Sequence, residues 1–141
     1  MDEDLIARAI VWGPEAIVAA DRDGVIRFWN AGAERIFGFT SAQAVGRSLD
    51  LIIPERLRAR HWAGWRQVMA TGQSRYGAAD VLAVPGMRQD GTPVSVEFML
   101  QPVRDAAGQV LGLAATIRDV TERFTELREL RRQVAGTTSP G

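Results

Sequence analysis

Among 141 residues there is one histidine, His61, and no cysteine. The histidine stands in the run Arg58-Ala59-Arg60-His61-Trp62-Ala63-Gly64-Trp65. An imidazole can move protons near neutral pH, ligate a metal through a neutral ring nitrogen, or hydrogen-bond inside a core. Catalytic use needs partners, and the sequence supplies none in a working pattern. Glu34, Asp50, Glu55 and Glu97 are isolated carboxylates without paired acid–base spacing. Ser41, Ser48 and Ser95 lie in no nucleophile-elbow context, and Gly32, Gly38 and Gly46 form no phosphate-cradling loop. Lack of cysteine removes disulfides, thiolate metal sites and a thiol nucleophile. The expectation is a protein that binds rather than one that catalyses.

Helical spacing places His61 where binding is feasible. Leu57, His61, Gly64, Trp65 and Val68 recur at i, i+4, i+7, i+8 and i+11, one face of a helix. That face turns inward, so the ring nitrogens of His61 need partners. Gly64, one turn on, removes bulk beside it and leaves room for a flat ligand. Three readings stand together: a metal or haem ligand, a contact to another small ligand, or a hydrogen-bonded core histidine. Trp29, Asn30, Trp62 and Trp65 are able to stack on and hydrogen-bond a noncovalent flavin, or simply to pack.

The elements that must carry these residues are legible in outline. Leu5 to Trp12 has a helical stripe that Gly13-Pro14 ends. Ala16–Ala20 and Val25–Trp29 flank Asp21-Arg22-Asp23-Gly24 as a hairpin. Asn30 caps a helix through Phe37, and Gly38 ends it. Short helical pieces begin at Ser41 and Leu49. Pro54-Glu55 opens the longest core helix, to about Ala70. Strands are expected over Arg75–Ala83, Val94–Pro102 and Val110–Val120, with hairpin turns at Gln89–Thr92 and Asp105–Gly108. In the second of these, Val94, Val96, Phe98 and Leu100 share one face, the expected inner wall. Thr121 onward is a charged amphipathic helix, with Val120, Leu127, Leu130 and Val134 at a/d-like spacing. The pattern predicts an α+β domain.

Bulk composition fits. The chain is 46% hydrophobic and 24% charged, with 17 cationic and 17 anionic residues. This is an ordinary globular balance with one core and no nucleic-acid footprint. No apolar run reaches a membrane span, and the acidic start Met1-Asp2-Glu3-Asp4 is unlike a signal peptide. A cytoplasmic location without membrane contact is expected.

Three segments in order, Asp21–Asn30, Asn30–Gly38 and Ile117–Arg123, resemble the motifs of PAS sensory domains. The resemblance implies the PAS fold, a five-stranded antiparallel sheet with helices on one face, plus a C-terminal amphipathic helix. It divides the chain into a flanking helix over 1–14, the PAS domain over 15–120, a signalling or coiled-coil helix over 121–135 and a flexible tail over 136–141. It implies a sensor that dimerises and reports to an output or kinase domain in cis or in trans.

The proline-initiated helix with Arg58-Ala59-Arg60-His61 resembles the haem-binding helix of FixL-type oxygen-sensor kinases. That resemblance implies b-type haem with His61 as the iron ligand, Gly64 and Trp65 beside it, and Arg75 on a haem propionate. Phe98 and Leu100 would form the apolar distal wall. Leu82 falls where that group has a ligand-binding arginine, so the distal side would favour CO or NO over O₂ unless Gln101 turned in. Adduct-forming flavin domains and coumaroyl photoreceptors need a cysteine, which this chain lacks. A noncovalent flavin, a small carboxylate held by His61 and Arg75, or no cofactor at all remain the alternatives. Asp119 and Thr121 match an Asp-x-Thr junction that couples sheet to output helix, with Thr121 as helix cap and Asp119 able to pair with an arginine or accept backbone N–H groups.

Overall fold

In a computed structural model, residues 3–72 and 82–138 are described. The elements run α1 (Glu3–Trp12), β1 (Ala16–Asp21), β2 (Ile26–Trp29), α2 (Ala31–Phe37), α3 (Ser41–Ala44), a 3₁₀ turn (Leu49–Ile52), α4 (Glu55–Thr71), β3 (Leu82–Met87), β4 (Pro93–Arg104), β5 (Val110–Asp119) and α5 (Thr121–Thr138). The strands form one antiparallel sheet in the order β2-β1-β5-β4-β3. The first and last strands in sequence thus meet opposite-sense neighbours at its centre. The expected five-stranded α+β architecture is the one found.

Alternation builds the core. In β1, Ala16, Val18 and Ala20 are buried while their neighbours are half-exposed. In β4, Val94 and Val96 are buried, and Phe98 and Leu100 continue the same face half-buried. Ile117 and Leu113 of β5 join them, and Phe37, Leu49, Trp65 and Val68 close over them from the helical side. The inner wall is where period-two reading put it.

Of the strand expected over Arg75–Ala83, residues 75–81 lie outside the described residues; the described β3 runs Leu82–Met87, past the expected end and through Pro85 and Gly86. β3 is an edge strand of the described sheet, and there a proline leaves no ladder partner unsatisfied. Gly86 also packs closely, since a Cβ there would press on Phe37 and Val94 at 3.3 Å.

Candidate functional site

α4 crosses the inner face of the sheet, and between them lies a cavity of about 770 Å³. This is inside the range of roughly 300–1,000 Å³ typical of cofactor and small-molecule sites. All five residues of the sequence-derived helix face, Leu57, His61, Gly64, Trp65 and Val68, line it. The opposite wall is Val96, Phe98, Leu100, Leu113 and Ile117. A Cβ added at Gly64 would meet nothing within 4 Å, so the glycine holds open space at the wall.

Two indoles fix the helix that presents His61. Trp62 Nε1 donates to Asp50 Oδ1 at 2.8 Å, and Trp65 Nε1 donates to the Arg22 carbonyl at 2.8 Å. The Trp62 ring also lies against Gly24, which has φ +77° and leaves no room for a side chain. His61 sits between them, its ring centroid 4.5 Å from Trp62 and 5.9 Å from Trp65.

His61 Nδ1 is buried and has no hydrogen-bond partner among the described residues. Leaving a buried polar atom unmatched costs about 1–3 kcal/mol. Burial pushes the imidazole below its ordinary pKa, and the Asp50 carboxylate only partly offsets this. The ring is therefore held neutral, the form that can ligate a metal.

The depressed value has a stability consequence. As pH falls through 6.5, the unfolded chain takes up a proton that the folded ring refuses. Stability conferred by the neutral ring is complete above 6.5 and is lost as pH falls toward the folded value. Denaturant midpoints should decline below pH 6.5, before the carboxylates titrate, and His61→Leu should flatten that decline. Because the chain has a single histidine, ¹⁵N-histidine NMR reads its titration directly; a midpoint at or above 6.5 would contradict the burial argument.

The other sequence-derived residues divide. Phe98 and Leu100 line the cavity. Leu82 pairs with Phe98 in the β3–β4 ladder, which places its backbone opposite that wall. Arg75 lies outside the described residues. Gln101 is exposed and, by strand alternation, on the face away from Leu100, so it does not turn into the cavity. Arg60 and Gln67 at the cavity wall were missed. Their i, i+7 spacing flanking Gly64 was the available signal, masked by their polarity.

Three residues proposed for a flavin are otherwise engaged. Trp29 is buried and its Nε1 donates to the Phe39 carbonyl at 2.9 Å. Trp62 is held by Asp50. Asn30, 2% exposed, spends all its hydrogen-bonding capacity on the fold. Its Oδ1 accepts from Ile17 N–H at 2.8 Å and from Ala33 N–H at 3.1 Å, and its Nδ2 donates to the Ile10 and Glu15 carbonyls at 2.8 and 2.7 Å. Only Trp65 of the four reaches the cavity.

At the far end of β5, Asp119 accepts a backbone N–H and faces an arginine as expected, and it, not Thr121, caps α5: its Oδ1 accepts from the Thr121 N–H at 2.9 Å. Thr121 Oγ1 instead accepts from the Ser95 N–H of β4 at 2.9 Å, and Val120 N–H donates to the Ser95 carbonyl. The reason is position, since Thr121 still lies beside β4 and can satisfy a strand donor there. Burial acts to raise the Asp119 carboxyl, but the Thr121 N–H and hydroxyl and the Arg88 guanidinium at 3.5 Å together hold it below its ordinary value. Thr121→Val should cost about 1–2 kcal/mol by orphaning the Ser95 N–H. Amide exchange should accelerate at Ser95 and the start of α5; unchanged exchange at both would contradict this role.

The model of the PAS fold family matches residues 13–124. The sensor protein FixL of Bradyrhizobium diazoefficiens is 27% identical over 109 residues, which is 77% of this chain and 21% of that protein. The oxygen sensor protein DosP of Escherichia coli is 28% identical over 120 residues, 84% of this chain and 14% of that protein. This chain spans between 14% and 21% of the length of the curated relatives it matches. Among solved structures, a PAS domain from Colwellia psychrerythraea superposes with TM-score 0.73 at 22% identity, covering 84% of this chain and 97% of that one. An RNA-binding light-oxygen-voltage receptor superposes with TM-score 0.74 at 27% identity, over 94% of this chain and 37% of that one.

Proposed function

This chain belongs to the PAS fold family, and we propose that it is a sensory module whose cavity binds b-type haem through His61. The observation that carries the reading is that His61, an imidazole held neutral by burial, lines the wall of a largely apolar cavity of about 770 Å³. A neutral imidazole is a standard protein ligand of haem iron, and bound haem would supply a site for a diatomic gas or a redox change. Arg60 and Gln67 at the cavity wall are placed to meet carboxylates of such a group, a duty that sequence reasoning gave to Arg75. Gly64 leaves the space beside the ring, and Trp62 and Trp65 hold the helix still. Two similar proteins bear the names of a sensor and an oxygen sensor, which supports sensing as the task.

The wall facing His61 is apolar at Val96, Phe98 and Leu100. A gas bound there would have no cationic donor from these residues, so the ferrous protein should hold CO well and release O₂ readily. The reading is tested by hemin titration followed in visible absorption. One equivalent should give a sharp band in the wild type, and His61→Ala should weaken binding at least tenfold and shift the band. An identical titration in both proteins would remove His61 from the site.

The module acts by binding rather than catalysis and works in the cytoplasm; among the described residues no helix is long and apolar enough to cross a membrane. Its output is a partner or kinase domain reached through Asp119, Thr121 and α5. Leu127, Leu130 and Val134 stand exposed along α5 at heptad-like spacing, which supports parallel pairing with α5 of a second copy. A small-metabolite sensor using the same cavity is the second reading, favoured by Arg60, His61 and Gln67 as polar residues on its otherwise apolar wall.

A further inference from the structure

Outside the core cavity, a separate groove of about 430 Å³ lies between the 3₁₀ turn, the start of α4 and the β3–β4 hairpin. Three guanidinium groups, Arg47, Arg58 and Arg88, line it against one carboxylate, Asp50. Its apolar lining is Phe39, Leu51 and Met87. From these features we infer that the groove is a second binding site, for a small organic anion with an apolar body.

The charges are prearranged. Arg58 is pinned by neutral acceptors: its Nε donates to the Ile53 carbonyl at 3.0 Å and an Nη to the Asp50 carbonyl at 3.2 Å. Its Nε is 3.9 Å from the Asp50 carboxylate, a distant pairing. That carboxylate is turned to the Trp62 indole, from which Oδ1 accepts at 2.8 Å. Arg88 is likewise braced by Thr92 Oγ1 at 3.3 Å and the Pro93 carbonyl at 3.1 Å, with Asp119 at 3.5 Å on its other nitrogen. Carbonyl acceptors orient the Arg58 guanidinium without cancelling its charge, so an arriving carboxylate meets a fixed donor there, whereas Arg88 already shares its charge with Asp119. Arg47 is exposed, and among the described residues its guanidinium has no partner. It is the group free to close on an anion. Arg88 ties the groove to the α5 cap, since the same guanidinium faces Asp119.

The groove does not depend on haem, and the two sites fail separately. The test is calorimetric titration of the whole chain with benzoate, benzamide and inorganic phosphate. Benzoate should bind, with benzamide at least tenfold weaker because it lacks the charge and phosphate at least tenfold weaker because it lacks the apolar body. Arg47→Gln, which breaks no hydrogen bond of the fold, should weaken benzoate at least fivefold. Gly64→Phe, which fills the core cavity, should leave benzoate affinity unchanged. Equal binding of benzoate and benzamide, phosphate binding as tightly as benzoate, an unaffected Arg47→Gln, or loss of benzoate binding in Gly64→Phe would each overturn the assignment.

Discussion

Asn30→Ala is expected to lower the unfolding free energy by about 2–3 kcal/mol, because it removes the side-chain partner of four backbone groups, one buried and three part-buried, at once. The side chain is the sole side-chain partner shown for the Ile17 and Ala33 N–H groups and for the Ile10 and Glu15 carbonyls. Those four groups belong to β1, α2, α1 and the α1–β1 connection, so one amide joins the N-terminal helix to the sheet. α1 has no buried residue of its own, which makes this link the principal anchor of its C-terminal end. Amide exchange through α1 should therefore rise more than in β4 and β5. Asn30→Asp separates hydrogen bonding from shape. It keeps an oxygen for the two N–H donors but faces the two carbonyls with a second oxygen. It should be as damaging as alanine at pH 7 and recover in acid, when a protonated carboxyl can donate. A loss below about 1 kcal/mol for Asn30→Ala, within the range of a simple exposed cap, would show that the clasp is not made.

The second large effect is expected at Gly64. Replacing it by Phe should abolish hemin binding, at least a hundredfold, while leaving the fold intact or slightly firmer. Glycine inside a helix costs about 1 kcal/mol relative to a good helix former. A Cβ at this position meets no atom within 4 Å and the residue lines the cavity, so a Phe there can fold over the cavity without a clash. Paired measurement of thermal midpoint and hemin affinity distinguishes this from misfolding. A variant that folds normally and binds hemin like the wild type would place the ligand elsewhere.

The helix face that carries His61 was legible because its five residues follow the 3.6-residue period, and all five line the cavity. The inner wall of β4 was legible through strand alternation for the same kind of reason. Asn30 was legible only as a helix cap. Its other partners are backbone carbonyls of Ile10 and Glu15, brought near by the fold and carrying no mark in the sequence. The partner of Thr121 was hidden for the same reason, since the Ser95 N–H that claims it comes from a strand 26 residues away. The continuation of β3 through Pro85 and Gly86 was not legible, because edge position in a sheet is a property of topology rather than of local composition. The arginine groove was invisible for a related reason: Arg47 and Arg88 come from two separate connections and Arg58 from the first turn of α4.

The measurement that tests the central claim most directly is resonance Raman spectroscopy of the ferrous, hemin-loaded protein with and without ¹⁵N-histidine. The chain has one histidine, so any iron–histidine stretch that shifts on labelling belongs to His61. The expected result is an iron–histidine band that moves to lower frequency in the labelled protein. A bound haem whose low-frequency spectrum is indifferent to the label would contradict ligation by His61 and return the imidazole to service as a contact for some other ligand.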